Sequence, residues 1–272
     1  MNKVAVIGIV GNSVFLPVEK FHVGGETVEA ESVRFEFGGK GFNQAVAAAR
    51  FGAEVSFLAA IGTESGEEIA NFLAREKIDA RLVQKEKPTA FAAIVTERSG
   101  ANRVTVYQGA QLSSGDVDAF QDKIAKADIL LLTNETAEEV NLRAAEIAYR
   151  NGVKIILNPA PQRNSDKRLT DKVFLFTPNE HEAEGLESYE NVVQTLGKKG
   201  CLIRKTGEII PPTDDVAVDT TGAGDTFNGV LAARLAAGEE IRAAILTAVR
   251  VSGKSVTRKG AVSSVPYAYE IR

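Results

Sequence analysis

Cysteine is almost missing from this chain: among 272 residues only Cys201 occurs, inside an apolar stretch, which excludes an internal disulfide framework and any multi-cysteine metal site. It reads as a buried core thiol. Histidine is nearly as scarce, and His22 and His181 lie far apart without zinc-ligand spacing, so a metalloenzyme of the H-E-x-x-H type is excluded. No apolar run approaches the ~20 residues of a membrane span. The opening Met1-Asn2-Lys3-Val4-Ala5-Val6-Ile7-Gly8 has too short an apolar run, and no small-residue cleavage site, for a signal peptide. It reads as a first strand, and a cytoplasmic protein with no membrane partner is expected. Blocks of one charge are absent too. The formal net charge of −4 is spread along the chain, so the electrostatic footprint of a nucleic-acid binder is missing and a small-molecule partner is expected.

What the chain does hold is apolar residue, 44% of it, enough for one large α/β domain with a sizeable core. Short β-branched runs recur with helical stretches between them, the rhythm of a doubly wound parallel sheet. Val4–Val10 opens that sheet; a helix over Gly41–Arg50, a strand over Glu54–Ile61 and a helix over Gly66–Lys77 follow. The rhythm resumes with strand Ile129–Thr133, helix Ala137–Arg150, and strands Lys154–Leu157 and Val173–Phe176. It closes with helices over Gly224–Ala237 and Ile241–Lys254, and Gly152 and Gly238 stand where helices should stop. Two stretches, Val14–Phe37 and Lys87–Tyr107, alternate apolar and polar residues with no helix between, which predicts antiparallel strands. Ala90–Thr96 and Arg103–Tyr107 read as a hairpin around Arg98-Ser99-Gly100-Ala101-Asn102. The alternation fits a small sheet beside the main domain and edge strands of the large sheet equally well.

The stretch richest in chemistry is Asp219-Thr220-Thr221-Gly222-Ala223-Gly224-Asp225-Thr226-Phe227-Asn228-Gly229, which runs into an Ala-rich helical pattern. Without bulky side chains, the amides of Gly222, Ala223 and Gly224 can converge on an anion at the positive end of a helix. Asp225 beside such a nest could take a proton from an attacking hydroxyl; equally, it could be a favourable charge in the first helical turn. Neither the P-loop spacing nor the dinucleotide fingerprint is present, since Phe227 stands where a third glycine would be needed. A second cluster, Phe37-Gly38-Gly39-Lys40-Gly41-Phe42-Asn43-Gln44-Ala45, opens another helix and sets Lys40 and Asn43 beside bare backbone. Amides, an ammonium and a carboxamide suit the hydroxyls of a sugar; a plain Gly-rich turn is the other reading.

Together, in this order and separation, the two clusters resemble the signatures of the ribokinase-like (PfkB) carbohydrate kinase family, and the likeness covers nearly the whole chain. The first signature continues through Gly52 to Gly62. Further matching stretches are Gly25-Glu26-Thr27-Val28, Asn158-Pro159-Ala160-Pro161, Thr177-Pro178-Asn179-Glu180-His181-Glu182-Ala183-Glu184, Thr195-Leu196-Gly197 and Ser255-Val256-Thr257-Arg258-Lys259-Gly260-Ala261. The resemblance implies one α/β kinase domain over 1–272, a mostly parallel sheet flanked by helices, with a small antiparallel β-lid inserted at about 14–37 and 87–107. It implies transfer of the γ-phosphate of ATP to a sugar hydroxyl, with Asp225 as base and Gly222, Ala223 and Gly224 as anion hole. Sugar contacts would come from Gly38, Gly39, Lys40, Asn43 and Glu135, and nucleotide contacts from Asn179, Glu182, Thr195, Gly197 and Gly224. Asn179 and Glu182 match an N-x-x-E motif that organises magnesium through water; read alone, they would cap a helix. A potassium site is implied at Asp219, Thr221, Ser255, Gly260 and Ser264, and a homodimer through the lid.

The chain departs from the pattern in places. Gly11 and Ser13 stand where ribose-binding members carry an Asn and an Asp, and Asn12 is one residue out of register, pointing to the other face. A hydroxyl in place of a carboxylate weakens a hydrogen bond worth about 1.5–3 kcal/mol. The segment after Glu184 is too short for the family's helix and strand, so Gly185–Gln194 is expected to be a bare connection. Val249 and Val230 replace a polar and a small residue near the nucleotide. A sugar kinase leads; a nucleoside kinase and a non-catalytic sugar or nucleotide sensor are the alternatives.

Overall fold

Runs that are apolar without interruption become strands buried on both faces, and those that alternate become a sheet with one open side. A computed structural model describes residues 2–98 and 101–271. Ser99 and Gly100, in the expected hairpin loop, lie outside the described residues. The first half runs β1 (Lys3–Ile7), β2 (Gly11–Val18), β3 (Arg34–Gly38), α1 (Lys40–Arg50), β4 (Glu54–Ile61), α2 (Gly66–Arg75), β5 (Asp79–Gln84), β6 (Ala90–Glu97), β7 (Asn102–Tyr107), α3 (Ser114–Asp118) and α4 (Gln121–Ala125). The second runs β8 (Ile129–Thr133), α5 (Glu138–Arg150), β9 (Lys154–Asn158), α6 (Lys167–Thr170), β10 (Leu175–Phe176), β11 (Val193–Thr195), β12 (Cys201–Ile203), β13 (Glu208–Ile210), α7 (Ala223–Ala236) and α8 (Ile241–Ser255).

Six parallel strands in the order β10-β9-β8-β1-β4-β5 form the main sheet. Successive residues of β1 feed opposite cores: Val4 and Val6 pack with α1, α2, α7 and α8, while Ala5 and Ile7 pack with α3, α4 and α5. The chain leaves β1 toward β4 and later returns to its other side as β8, so the order reverses between β1 and β8. Ligands gather at such a switch point, beyond the carboxyl ends of the strands. Helix α7 is apolar all round and correspondingly buried from Asp225 to Ala233. Gly152 and Gly238 do stop α5 and α7, each with a positive φ, 71 and 87.

The two interrupting stretches form a separate four-stranded sheet, β3-β2-β6-β7, not edges of the main one. Its outer pairs are antiparallel, as expected, but β2 and β6 run parallel, from Gly11 against Ala90 to Val18 against Glu97. Both enter from the carboxyl ends of parallel strands, β1 and β5, which fixes their common direction. The expectation of a bare connection over Gly185–Gln194 holds only in part: no helix forms there, but Val193 and Gln194 open β11. That strand belongs to a small antiparallel sheet, β11-β12-β13, which periodicity did not reveal because each strand has three residues. Cys201, in β12, is buried, and burial pushes its thiol up to about 12.

Candidate active site

Gly222 adopts a left-handed conformation, φ 75, and caps α7. A Cβ here would lie 3.0 Å from the Ala261 Cα, so glycine alone lets the two loops touch. Three residues later Asp225 is buried, and α1 clamps its carboxylate from the side. Asn43 Nδ2 donates to Oδ2 and Gln44 Nε2 to Oδ1, each at 3.0 Å. Gln44 also donates to Asn158 Oδ1 at 3.2 Å, and Asn158 Nδ2 donates to the Thr177 carbonyl at 2.8 Å. The chain of amides thus ties the ends of β9 and β10 to Asp225. Helices α1 and α7 can approach this closely because of Gly229, where a side chain would enter the Gln44 carbonyl.

A cavity of about 210 Å³ opens in front of this carboxylate, walled by Lys40, Asn158, Thr177, Gly224 and Asn228. Its buried floor holds polar atoms with no protein partner among the described residues: Thr177 Oγ1 and Asn228 Oδ1, with Asn43 Oδ1 and Gln44 Oε1 behind. With Lys40, Asn158, Thr177, Asp225 and Asn228 in its wall, the cavity suits a polar ligand. Lys40 is held above the ordinary ammonium value, chiefly by Asp225 and also by Glu135 and Glu182, against the opposing effect of burial. Glu135 follows β8, and its Oε2 accepts from the Lys40 amide at 2.7 Å. Burial lifts its carboxyl to about 7, although Lys40 and the amides at the head of α1 pull the other way. Glu135 is not part of the cavity wall; it holds the backbone that carries Lys40.

On the other side, Asn179, Glu182 and Thr195 line the same cavity. Asn179 Oδ1 accepts from the amides of His181 and Glu182 at 2.8 and 2.9 Å, and Glu182 Oε2 accepts from the Asn179 amide at 3.0 Å. This is a reciprocal capping pattern closed on a turn, for no helix follows it. Thr195 donates its amide to the Pro178 carbonyl at 2.8 Å, and Gly197, φ 53, begins a short 3₁₀ turn beyond β11. Of the three amides expected to form an anion hole, that of Ala223 donates back to the Thr220 carbonyl at 3.2 Å, while Gly222 and Gly224 donate to no acceptor among the described residues.

Asp219 anchors the neighbouring loop: Oδ1 accepts from the Thr221 amide and Oδ2 from the Gly260 amide, both at 2.9 Å. The amides of Val218 and Asp219 both donate to the Val256 carbonyl, which brings Ser255 alongside. Ser255 gives its proton to the Ser252 carbonyl at 2.8 Å, and Ser264 gives its own to the Ala261 carbonyl at 2.9 Å.

On β2, Ser13 is buried and directed at Gly38; a Cβ there would lie 2.7 Å from the hydroxyl. Asn12 points the other way, donating to Ser65 Oγ at 2.8 Å, as the register argument requires. The sequence reading named Lys40, Asn43 and Asp225 but did not single out Gln44, Asn158, Thr177 or Asn228. Gln44 and Asn228 lay inside the glycine clusters, and their adjacency to Lys40, Asn43 and Asp225 was the available signal. Asn158 and Thr177 each head a stretch that matched the family pattern and stand at the end of a strand, and those were their signals.

The model of the pfkB family carbohydrate kinases matches residues 1–268. Ribokinase of Haemophilus influenzae is 36% identical, over 96% of this chain and 94% of its own. Ribokinase of Lactococcus lactis is 35% identical, over 100% and 96%. The crystal structure of ribokinase from Thermotoga maritima superposes with a TM-score of 0.90 at 30% identity, covering 100% of this chain and 98% of that one.

Proposed function

Because the chain belongs to the pfkB family of carbohydrate kinases and is an ATP-dependent carbohydrate kinase, we propose that Asp225 deprotonates the sugar hydroxyl that attacks the γ-phosphate of ATP. One observation carries this reading. A buried carboxylate, gripped on both oxygens by Asn43 and Gln44, faces a polar cavity beside the head of α7. Fixed in orientation, it can accept a proton without reorganising. The amides of Gly222 and Gly224 are the donors left to receive charge building on the transferred group, with Ala223 joining if its long bond to Thr220 opens. Lys40 adds a positive charge from the sugar side.

Gly38, Gly39, Lys40 and Asn43 form the sugar floor, and Glu135 acts through the Lys40 amide. The relatives are named ribokinases, and a pentose is the first substrate to try; Ser13, in place of an acid, makes a weaker hold on its hydroxyls. Asn179, Glu182, Thr195 and Gly197 border the nucleotide. Among the described residues no three His, Cys, Asp or Glu side chains cluster as a metal cage. Glu182 and Asn179 offer hard oxygen donors that suit a magnesium ion keeping most of its water, which would neutralise phosphate charge when bound. The corner of Asp219, Thr221, Ser255, Gly260 and Ser264 is likewise all oxygen donors, its two serine protons already given to carbonyls, and suits potassium. Among the described residues no helix is long and apolar enough to cross a membrane. A cytoplasmic enzyme, built as one kinase domain with a lid that pairs in a homodimer, completes the proposal.

The test is magnesium-dependent ADP release over pentoses (2-deoxyribose included), hexoses and nucleosides, with and without potassium. Asp225→Asn is expected to lower kcat by ~100-fold or more and to leave ATP binding unchanged. A loss of only a few fold would remove Asp225 from the role of base.

A further inference from the structure

The loop that carries Gly260 is fastened to the lid. Glu36, on β3 just before Gly38-Gly39, has a side chain only 8% exposed. It reaches across to that loop with both oxygens: Oε2 accepts from the Ala261 amide at 3.1 Å and Oε1 from the Ser263 hydroxyl at 2.7 Å. Arg34, two residues earlier on the same face of β3, pairs with Glu36 and lies over the Phe15 ring, 4.1 Å from its centroid. A Cβ on Gly260 would stand 2.5 Å from Arg34 Nη1, so the guanidinium rests against the loop backbone.

The far side of this loop touches the phosphate-handling residues. Ala261 packs on Gly222, the cap of α7, and the Gly260 amide donates to Asp219, which also holds Thr221. Strand β3 in turn ends in the glycine turn that opens α1 and carries Lys40. A continuous path of hydrogen bonds and contacts therefore runs from the sugar floor through Glu36 to the anion hole. A nearly buried carboxylate with amide, hydroxyl and guanidinium partners has one favourable position, so the two loops it joins move together or the bonds break.

We infer that Glu36, braced by Arg34, is a positioning residue that couples sugar binding at Gly38–Asn43 to nucleotide binding at Gly222–Asp225. This rests on the kinase reading of those two loops. Glu36 touches neither ligand; it makes the ordering of one loop count toward the ordering of the other. Such linkage appears as a factor by which each ligand tightens the other, equal in both directions.

The experiment measures D-ribose affinity by calorimetry with and without magnesium β,γ-imido-ATP, then with the sugar that gives most ADP release if that differs. In the unaltered protein the nucleotide analogue is expected to tighten sugar binding by ~5-fold or more. In Glu36→Ala the factor falls below about 2, with each ligand alone bound within about 3-fold of its original affinity, and Glu36→Gln recovers part of it through its remaining acceptor. Loss of stability alone would not change that factor. Amide hydrogen exchange gives a readout independent of substrate: Glu36→Ala should speed exchange at 258–264 and 220–224 and leave α5 unchanged. Unaltered coupling, or unaltered exchange in those two loops, would overturn the inference. If neither sugar nor analogue binds, the kinase reading fails instead, and the exchange result still decides whether Glu36 joins the loops.

Discussion

Glu135 shows how burial can outweigh favourable neighbours at a carboxyl group. Its carboxyl sits at about 7 rather than the ordinary 4.5 because burial outweighs the help of Lys40 and the α1 amides. With the folded value raised, the stability that the protonated form contributes is fully present below about 4.5 and is lost as pH rises through about 7. Glu135→Gln, which keeps an acceptor for the Lys40 amide but cannot ionise, should flatten that decline. Thermal melts at pH 5 and pH 8 are expected to differ by ~2–4 °C less in the variant than in the parent. An identical pH dependence in both would mean that Glu135 is solvated and unshifted. The family likeness named Glu135 as a sugar contact; its contact with the Lys40 amide depends on the head of α1 lying beside it, which no local pattern records.

At the scale of elements, the crossing of α1 on α7 sets the geometry around Asp225. Gly229 permits it, and the Gln44 carbonyl occupies the space a methyl group would need. Gly229→Ala should therefore cost about 1–3 kcal/mol by overpacking. It should also lower kcat, because Asn43 and Gln44 shift with their helix. A variant that melts at the parental temperature with parental kcat would show that the helices have room to part. The long elements were legible in the sequence: α1, α5, α7 and α8 fall within a residue or so of their expected ends, α1, α5 and α8 because their apolar periods span three or four turns, α7 because a glycine cluster opens a long Ala-rich apolar run. Short ones were not. Only Leu175–Phe176 of the expected Val173–Phe176 pairs as strand, and β11, β12 and β13 carry too few residues for alternation to register. The parallel pairing of β2 with β6 follows from where the chain leaves the main sheet, a property of topology and not of either segment.

For the whole molecule, the four-stranded sheet ends in an exposed edge. Every residue of β7 is exposed, and Val104 and Val106 share the face of the lid that carries Phe15 and Ser13. An edge strand with apolar side chains in water invites another strand or surface to cover it. If a second copy does so, sedimentation will give twice the chain mass, and Val106→Glu will halve it while leaving the fold intact. A parent that sediments as a monomer at all concentrations would refute the lid-paired dimer. The glycine clusters pointed in advance to Lys40, Asn43 and Asp225, which the fold brings together. A second copy as partner was implied by the family likeness alone, because apolar exposure on β7 does not say what covers it.

The solitary thiol of Cys201 lies in β12 with its proton held up to about 12. Maleimides and other thiol reagents need the thiolate and an open approach, and find neither there. The chain is thus chemically silent toward them, and a cysteine introduced on the outer edge of β7 would be its single reactive handle. A fluorophore placed there would report any movement of β7 from one known position, with no background to subtract.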